Sequence, residues 1–481
     1  FLKHHMRINF SRKEILIMLL SIVTSLFNYT NALIVQASSS SATCSNATCT
    51  EVVTLEGYPS SHEMSFGIGD LTGDGESEFV VKGFDGGNID PVYYARPDTF
   101  GPIKNKSPIK IYGYTRQGSK MWEHTLGKGI ESGIWYSPTV VYDLDKDGRA
   151  EVYVKNATDT KNQWPSKITS DDEWIEKLDG KTGKVLTTSK INGPSNDYPL
   201  ADTSNYGGIY SRNQLIVAYL DGYDKKPYII SIRGTYSKIY VNAYDSNLTL
   251  KWKWQSSSSY NNTGTNGPMI AADIDNDGRD EILLGTSAID ENGKSLWANS
   301  GNTDMNYVGD LIPSRSGLEQ FVGNESGRNS GFYDPMTGDV ISRVAYKLES
   351  QGICGDFTSK YDGYECAARE DVSGGGFKVV NAKGQSIQNE WGFDQSSIWW
   401  ARPLAAWWNG SKYMSVLGHD GTPSKLGECG TKQAPTSESR SSSMCTMVVD
   451  IQWDWKEEIL KGVGNTITIY ESQAKNSINP P

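Results

Sequence analysis

The sequence predicts an all-β fold, an eight-bladed β-propeller, with seven blades as the fallback. Three observations support this prediction. An acidic motif recurs along the chain, each copy runs into a short segment rich in strand-forming residues, and almost no segment shows helical periodicity. A β-propeller closes such repeated sheets into a ring, which protects their edges.

The acidic motif has the form D-x-[DT]-x-D-G-x-x-E. Three strong copies occupy residues 70–78, 143–151 and 273–281. Three weaker copies occupy residues 310–319, 356–365 and 450–458, where Ile312, Lys360 and Gln452 reduce the number of ligands. Two segments near residues 218 and 405, LIVAYLDGYDKKPYIIS and LAAWWNGSKYMSVLG, have the same surroundings without the acidic loop. The repeat therefore predicts eight units.

Each unit continues with hairpin signals. The motifs lead into segments such as EFVVKG, AEVYVKN and DEILLGT, which are rich in strand formers. A second run then ends in a glycine turn, often with tryptophan, as in IYGYTRQGSKMWE and SAIDENGKSLWA. Units of roughly 40 to 70 residues that contain only strands are typical of propeller blades.

The acidic loops have the chemistry of calcium sites. Side-chain oxygens at alternate positions, a glycine for the sharp turn and a final carboxylate can surround one hard cation of calcium size. The predicted Ca²⁺ ligands of the strong loops are Asp70, Thr72, Asp74, Glu78, Asp143, Asp145, Asp147, Glu151, Asp273, Asp275, Asp277 and Glu281. Those of the weaker loops are Asp310, Glu319, Asp356, Thr358, Glu365, Asp450, Asp454 and Glu458. Since strands flank the loops, they are not EF-hands, and we expect them to hold each blade's inner turn.

The amino terminus has the pattern of a targeting segment. Basic residues precede an apolar run at residues 15–26, and the small residues Ala32 and Ala37 follow it. We expect residues 1–37 to be a signal peptide, 38–50 a Ser/Thr-rich linker, and 51–481 a single propeller domain with a truncated C-terminus. No other apolar run is long enough to cross a bilayer, so the expected protein is secreted, extracellular and free of the membrane once the signal is removed.

Two further features agree with secretion. The six cysteines form close pairs that suit local disulfides in an oxidising compartment, although fifteen pairings are open. The pairs are Cys44 with Cys49, Cys354 with Cys366, and Cys429 with Cys445. Sequons for N-linked glycans begin at Asn46, Asn105, Asn156, Asn247, Asn261, Asn324 and Asn409. A zinc site is disfavoured because histidine is scarce and no cysteine pair is tightly spaced.

The charge balance excludes two classes of partner. The chain has 46 Lys plus Arg against 57 Asp plus Glu, a formal charge of −11. An acidic surface offers nothing to a nucleic acid or an anionic membrane. No sequence feature indicates an oligomer, so we expect a monomer.

Particular segments carry a family resemblance. In chain order they are GDLTGDGESEFVVKGFD, VVYDLDKDGRAEVYVKNATD, NYGGIYSRNQLIVAYLDG, YIISIRGTY, ADIDNDGRDEILLG, VGDLIPSRSGLEQF and VDIQWDWKEEI. Together, over about residues 62–472, they resemble the catalytic domain of family 11 polysaccharide lyases, the rhamnogalacturonan lyases. Integrin-like FG-GAP propellers share the acidic loops but not the other segments. The resemblance implies an eight-bladed, calcium-loaded propeller whose partner is a plant cell-wall or other acidic polysaccharide, the uronate–rhamnose backbone of pectin.

The chemistry of a lyase requires particular groups at such a site. Removal of the C5 proton of a uronate leaves an enolate-like dianion, so a base must act while positive charge or donors neutralise the carboxylate. Bound calcium can supply positive charge in an acidic protein. Lys432, in Gly430-Thr431-Lys432, matches a family Asn-Gly-Thr-Lys stretch in which Cys429 replaces the Asn. Lys432 is a candidate base or carboxylate binder, with Gly430 and Thr431 as substrate contacts; a solvated loop lysine is equally open.

Other candidates are weaker. His62, which precedes the first acidic loop, and Tyr136 are further catalytic candidates. The resemblance also implies substrate contacts at Tyr206, Arg212, Arg233 and Asp85, and a metal ligand at Asp304. Each of these residues has an alternative role as a buried structural partner. Trp399, Trp400, Trp407 and Trp408 are expected in the core rather than against sugar rings.

The chain also departs from the family pattern. Asn302-Thr303-Asp304 and Asn306-Tyr307 replace a family His-Gly-Asp and Leu-His, and Trp135 and Met414 replace a family His and Arg. We therefore expect a secreted, calcium-dependent lyase that cleaves rhamnogalacturonan by β-elimination, with a catalytically inactive propeller that binds cell-wall glycans or a protein as the alternative. A hydrolase is a third option, but no carboxylate pair can be assigned to it. The polymer and the endo or exo mode are left open.

Overall fold

Every regular element in the described part of the chain is a β-strand. The computed structural model describes residues 43–44, 48–85, 108–127, 130, 137–157, 173–191, 213–234, 239–256, 263–265, 268–299, 301–326, 329–370, 377–387, 405–408, 413–417, 423–424, 446–452, 454 and 456–473. They all belong to one unit, Ala42–Pro481. None of them builds a helix with the length and apolar character needed to cross a membrane. The all-β prediction is confirmed.

The strands are short and follow one another closely along the chain. In order they are β1 (Thr43–Cys44), β2 (Thr48–Thr54), β3 (His62–Gly69), β4 (Glu78–Asp85), β5 (Lys110–Tyr114), β6 (Lys120–Thr125), β7 (Thr139–Tyr142), β8 (Glu151–Ala157), β9 (Glu173–Leu178), β10 (Val185–Lys190), β11 (Asn213–Ala218), β12 (Tyr228–Arg233), β13 (Tyr240–Tyr244), β14 (Leu250–Gln255), β15 (Thr263–Thr265) and β16 (Ile270–Ala272). They continue with β17 (Glu281–Leu283), β18 (Ser287–Ile289), β19 (Ser295–Ala298), β20 (Gly301–Gly309), β21 (Glu319–Ser326), β22 (Gly331–Tyr333), β23 (Val340–Arg343), β24 (Leu348–Gly355), β25 (Glu365–Glu370), β26 (Phe377–Val380), β27 (Ala405–Ala406), β28 (Ser415–Leu417), β29 (Pro423–Ser424), β30 (Thr446–Val449), β31 (Glu458–Val463) and β32 (Thr466–Ser472).

The described strands form eight sheets. Four of these sheets contain four consecutive antiparallel strands each: β3 to β6, β7 to β10, β11 to β14 and β16 to β19. A fifth contains β20 to β23, with β15 added parallel to β20 at its edge. Two smaller sheets contain β24 to β26 and β27 to β29. Consecutive strands pair in this way because short turns suffice to join antiparallel neighbours.

The eighth sheet joins the two ends of the described chain. Its strand order is β1-β2-β32-β31-β30, and β2 pairs antiparallel with β32 along its whole length. β1 and the start of β2 lie within residues 38–50, the segment expected to be a linker. Pairing with β32 explains why this Ser/Thr-rich sequence forms strands, because the partner strand satisfies its backbone groups.

Burial follows the position of a strand within its sheet. The second strand β8 is buried at every residue, whereas the fourth strand β10 is mostly exposed. The third strand β13 and the fourth strand β14 show the same contrast. Inner strands with both faces buried are expected when each sheet is covered by neighbours on both sides.

Neighbouring sheets touch through their first strands. β3 contacts β7, β7 contacts β11, β11 contacts β16, β16 contacts β20, and β20 contacts β24. β27 contacts β30, and β3 also contacts β31 of the eighth sheet. At the first of these contacts Gly67 and Gly69 are required by space, since a Cβ at either would lie 2.9 or 2.8 Å from Val141.

In three sheets a tryptophan of the fourth strand forms a hydrogen bond to the next sheet. The indole Nε1 groups of Trp122, Trp252 and Trp297 donate hydrogen bonds to the carbonyls of Gly180, Glu291 and Pro335 at 2.7, 2.8 and 2.7 Å. The rings pack on the glycines of the same turns, Gly183, Gly293 and Gly338, all of which have positive φ. The repeated tryptophan and glycine-turn pattern of the sequence is therefore an inter-sheet contact.

Two of the three expected disulfides are present. Cys44 is bonded to Cys49, and Cys354 is bonded to Cys366. The second bridge joins residues that face each other in β24 and β25, next to the fifth acidic loop. The expected pair of Cys429 and Cys445 lies outside the described residues.

Candidate functional site

The acidic loops occupy the same end of six sheets. Each loop connects the first strand of a sheet to the second, and its final glutamate is the first residue of that second strand. These glutamates are Glu78, Glu151, Glu281, Glu319, Glu365 and Glu458. Each faces the last residue of the preceding strand in register, as Glu78 faces Gly69, and all six side chains are buried.

The first aspartate of each strong loop organises the backbone. Asp70 accepts the N–H of Gly73 at 2.6 Å through Oδ1 and the N–H of Gly75 at 2.8 Å through Oδ2. Asp143 and Asp273 accept the N–H groups of Asp147 and Asp277 through Oδ1 and those of Gly148 and Gly278 through Oδ2. The glycines at the sixth position, Gly75, Gly148 and Gly278, have φ of 87°, 90° and 86°, and a Cβ added at any of them would meet nothing within 4 Å, so the left-handed backbone alone requires them.

Three carboxylates converge in each strong loop. In every set the ligand atoms lie within 4.8 Å of one another. The sets are Asp70, Asp74 and Glu78; Asp143, Asp145 and Glu151; and Asp273, Asp275 and Glu281. Two predicted ligands, Asp147 and Asp277, instead pair with Arg149 and Arg279.

The buried glutamates are poorly compensated where the structure describes them. Glu281 accepts the N–H of Ile274 at 3.0 Å through Oε2, whereas its Oε1 is buried with no hydrogen-bond partner among the described residues. The Oε1 atoms of Glu365 and Glu458 are likewise buried with no hydrogen-bond partner among the described residues. Burial, reinforced by neighbouring aspartates, raises the pKa of Glu281 to about 8 and the pKa values of Glu365 and Glu458 to about 7. A nearby cation would reverse these shifts.

Some loops contain a cation of their own. The Lys177 Nζ lies 2.9 Å from Asp145 Oδ2 and 2.9 Å from Glu151 Oε1. In the fourth loop the Arg315 Nε lies 3.2 Å from Glu319 Oε1, and the N–H groups of Leu311 and Ile312 donate to Glu319 Oε2. The described contacts therefore engage both carboxylate oxygens of Glu319, unlike those of Glu281.

Acidic loops are also tied to the loops of neighbouring sheets. The residue before the final glutamate donates its N–H to the preceding sheet's first loop. The bonds run from Ala150 to Asp70 O at 2.6 Å, from Asp280 to Tyr219 O at 3.1 Å, from Tyr364 to Leu311 O at 3.0 Å, and from Glu457 to Trp407 O at 3.2 Å. These acidic loops are thus hydrogen-bonded to the sheet that precedes them in the chain.

His62 lies at the opposite end of its sheet. It begins β3 and faces Asp85, the last residue of β4, whereas the acidic loop follows Gly69. Seven strand residues at about 3.3 Å each place the two ends about 23 Å apart. His62 thus precedes the first acidic loop in the sequence but is separated from it by the length of β3. Its ring is half-buried and contacts Tyr58 edge-to-face, with centroids 6.1 Å apart.

Buried cations occupy this second end. The Lys82 Nζ donates to Ser137 O at 2.5 Å and to Ser137 Oγ at 3.1 Å, and burial lowers the pKa of Lys82 to about 8. Lys155 pairs with Glu173 at 2.7 Å, and Arg233 pairs with the other oxygen of Glu173. The candidate substrate contact Arg233 is thus almost fully buried in an inter-sheet ion pair.

Sequence reasoning missed the two buried lysines and Glu173. A signal for the lysines exists, because Lys82 and Lys155 each stand four residues after a loop glutamate, on the same face of the strand. A lysine in the middle of an apolar strand is rarely buried without a partner, which makes the position informative.

Several candidates lie outside the described residues. They are Tyr136, Tyr206, Arg212, Gly430, Thr431 and Lys432, together with Trp399 and Trp400. Asp85 and Asp304 lie in β4 and β20, but their side chains are not described. Trp408 is buried against Ala406 and Ile459, which confirms its expected place in the core.

The protein is thus an all-β protein built from repeated antiparallel sheets. Acidic loops lie at one end of these sheets, and buried cations lie toward the other. A family model described as rhamnogalacturonan lyase family 11, C-terminal domain, matches residues 48–478. The chain belongs to rhamnogalacturonan lyase family 11. The family resemblance inferred from the sequence segments is confirmed.

Individual relatives agree with this assignment. The chain is 30% identical to rhamnogalacturonan endolyase YesW of Bacillus subtilis over 82% of its own length and 64% of the relative, and 30% identical to rhamnogalacturonan exolyase YesX of the same species over 76% and 62%. It thus spans less than two thirds of these relatives. The crystal structure of YesX matches with a TM-score of 0.71 at 23% identity, over 89% of this chain and 73% of that one. A rhamnogalacturonan lyase of Bacillus licheniformis matches with a TM-score of 0.70 at 25% identity, over 89% and 73%.

Proposed function

We propose that the chain is a secreted, calcium-dependent polysaccharide lyase that cleaves rhamnogalacturonan by β-elimination. The observation that carries this proposal is membership of family 11 over residues 48–478, together with relatives whose names specify endolytic and exolytic rhamnogalacturonan lyases. The substrate is an acidic pectic polysaccharide, whose carboxylates require positive charge at the site of cleavage.

We propose that the eight sheets are the blades of one propeller. Two observations support this arrangement: the first strands of neighbouring sheets touch in sequence, and the first described strands complete the last sheet. Closure by shared strands removes free sheet edges. The acidic loops then lie at one end of the blades, and the buried lysines and His62 at the other.

Calcium fits the three strong loops. Each supplies three convergent carboxylates. Some of their buried oxygens, such as Asp145 Oδ1 and Glu281 Oε1, have no described hydrogen-bond partner and could bind a cation. When bound, calcium would neutralise these carboxylates and cross-link the first and second strands. The fourth loop does not fit, because no set of three carboxylates converges there among the described residues and Arg315 pairs with Glu319.

The proposed chemistry separates these loops from the cleavage site. Lys432, His62 or Tyr136 would take the C5 proton of the uronate, while Gly430, Thr431, Tyr206, Arg212 and Asp85 would contact the sugar chain. Lys82 and Lys155, with Arg233, would hold positive charge at the same end of the sheets as His62. Since the loops lie about 23 Å from that end, their calcium would act on stability rather than on the reacting carboxylate.

One assay tests the activity. Incubation with rhamnogalacturonan should raise ultraviolet absorbance, because β-elimination leaves a carbon–carbon double bond conjugated to the uronate carboxylate. A rapid fall in viscosity at low product yield would indicate internal cleavage, and a slow fall would indicate cleavage at chain ends. New reducing ends without absorbance would identify a hydrolase and refute the lyase.

A catalytically inactive glycan-binding protein is the second candidate. It is favoured by two of the residues that depart from the family pattern: Thr303, in place of a family glycine, is fully buried and donates to Asn324 at 2.7 Å, and Tyr307, in place of a family histidine, packs against Tyr364 with ring centroids 6.5 Å apart. Both replacements have structural partners. Retarded migration through a gel that contains pectic polymers, with no rise in absorbance, would support this candidate.

Secretion and a monomeric state belong to the same proposal. The two disulfides are typical of an oxidising compartment. Expression in a eukaryotic secretory host should give a glycosylated protein in the medium, and light scattering should give the mass of one chain. Retention inside the cell or a dimer mass would contradict these expectations.

A further inference from the structure

The third acidic loop differs from the others in the turn that faces it. In six sheets the residue that follows the third strand begins a turn, and in five of these sheets its side-chain oxygen accepts a backbone N–H of that turn. Such bonds are made by Thr115, Asp179, Asp245, Asp334 and Asn381. Asp290 holds this position in the third loop's sheet, but its carboxylate accepts the side-chain amide of Asn292 and contacts the carboxyl group of Glu291.

Asp290 is therefore available for another role. Its neighbour Glu291 is an acid where the equivalent positions hold Arg116, Gly180, Ser246, Pro335 and Ala382. Glu281, Asp290 and Glu291 each offer a carboxylate oxygen, and these oxygens lie within 4.8 Å of one another. Oxygens on opposite sides of a calcium ion are up to about 5 Å apart, so the spacing suits one ion.

A buried atom points to a ligand at this cluster. Glu281 is 1% exposed, and its Oε1 has no hydrogen-bond partner in the described residues. The position of Glu291 is fixed from the neighbouring sheet, since Trp252 Nε1 donates to the Glu291 carbonyl at 2.8 Å. One oxygen of Glu291 is engaged by Arg279 at 2.8 Å, and its carboxyl group also contacts that of Asp290. A cation bound between these two carboxylates would relieve their repulsion.

Charge favours more than one ion here. Apart from Asp280, which accepts hydrogen bonds from Tyr219 and Tyr223 of the preceding sheet, six carboxylates surround the third loop against one guanidinium, that of Arg279, which gives −6 + 1 = −5. The six are Asp273, Asp275, Asp277, Glu281, Asp290 and Glu291. A single divalent cation leaves −3, and like charges at this spacing repel one another, most strongly at the buried Glu281.

We propose that the third acidic loop holds two divalent cations of calcium type. The first is bound by Asp273, Asp275 and Glu281, and the second by Glu281, Asp290 and Glu291, with Glu281 shared. This inference rests on the proposed calcium binding of the strong loops but not on lyase activity.

Calcium stoichiometry tests the second site. The variant Asp290→Asn with Glu291→Gln should bind one calcium ion fewer per chain than the unaltered protein, by calorimetry and by metal analysis after desalting. Asp334→Asn is the matched control, because that carboxylate caps its own turn and should leave the stoichiometry unchanged. Equal stoichiometry in all three proteins would overturn the proposal. If the double variant fails to fold, Glu291→Gln alone, which retains an acceptor for Arg279, is titrated instead.

Terbium luminescence gives a second readout. Terbium bound at the second site should be excited through the adjacent Trp252. The double variant should therefore lose terbium emission when Trp252 is present, both in the otherwise unaltered protein and with Trp297→Phe. With Trp252→Phe, the double variant should cause no further loss. An equal loss in every background would contradict the site. If the protein binds the extra ion but leaves pectic polymers intact, only the proposed lyase activity is refuted. If it cleaves these polymers without binding calcium, only the proposed calcium sites are refuted.

Discussion

The six loop glutamates show how one residue type can be stabilised in different ways. All are buried, yet Glu319 is paired with Arg315 and Glu151 with Lys177, whereas Glu281 has an oxygen with no described partner. A buried carboxylate needs a counter-charge or must take up a proton. Lys177 of β9 supplies that charge to the second loop and Arg315 supplies it to the fourth, whereas the described contacts of Glu281 include no such charge, which a bound ion would provide.

Arg315→Gln should therefore destabilise the protein without affecting its calcium content. The change removes a charge-assisted hydrogen bond to a fully buried carboxylate, and we expect a loss of about 1 kcal/mol, because the guanidinium is partly exposed. Urea unfolding measures the loss. Arg149→Gln is the control, since both Arg149 and its partner Asp147 are exposed and exposed ion pairs contribute little to stability. Equal losses in the two variants would show that Arg315 is not the counter-charge of Glu319.

The sequence placed the acidic loops between strands but did not reveal the cationic side chains that pair with them. Glycines at fixed positions and alternate oxygens define a local loop, and local geometry can be read from spacing. Lys177 reaches Asp145 from a strand 32 residues away, and Arg233 reaches Glu173 from the next sheet. Pairings of this kind depend on the register and neighbours of whole strands, which a single sequence does not specify.

At the level of elements, an acidic loop and the two strands it joins form one titrating unit. The ordinary pKa of glutamate is 4.5, and in the folded chain without metal burial raises it to about 8 for Glu281 and to about 7 for Glu365 and Glu458. A raised carboxyl pKa means that the folded state holds its proton at pH values where the unfolded state has lost it. Folding stability must then fall as pH rises from about 4.5 to about 8.

Chelation should expose this pH dependence. In excess chelator the melting temperature is expected to fall between pH 5 and pH 8, since Glu281, Glu365 and Glu458 lose their protons inside the folded protein. With calcium in excess the part of the fall that comes from Glu281 should be abolished, because the ion stabilises the charged form. Melting curves at several pH values, each with and without metal, measure both effects. A chelated protein that becomes more stable over this range would contradict the assignment of the loops.

The repeat of the elements was predictable, and their exceptions were not. Six acidic loops, the hairpins and the all-β class follow from patterns that recur within each unit. The parallel strand β15 and the early strands β1 and β2 have no such pattern. They form because a neighbouring edge is available, as when the backbone of β32 pairs with β2.

At the scale of the whole unit, stability depends on the sheet that joins the first described strands to the last. Val53 lies in β2, is 2% exposed and faces Ile467 of β32, whereas its neighbour Val52 is 49% exposed on the other face. Substitutions at these two neighbouring valines therefore distinguish the effect of burial from the effect of strand propensity.

Val53→Asp should disrupt this junction and Val52→Asp should not. An unpaired charge in the core at Val53 is expected to cost about 3 kcal/mol or more, while the exposed neighbour should change stability by about 0.5 kcal/mol or less. Denaturant unfolding of both variants gives the comparison. If the two aspartates cost the same, pairing between β2 and β32 is not what closes the unit.

The two ends of the sheets should also separate stability from catalysis. Glu78→Gln removes a loop carboxylate about 23 Å from His62, so it should lower the melting temperature in calcium and leave turnover of rhamnogalacturonan unchanged at temperatures well below melting. His62→Ala and Lys432→Ala should show the opposite pattern, with lost turnover and nearly unchanged melting for whichever residue serves as the base. Absorbance assays and melting curves on the same preparations measure both properties. Slower turnover in fully folded Glu78→Gln would mean that loop calcium reaches the chemistry, and full activity in both other variants would remove His62 and Lys432 from the mechanism.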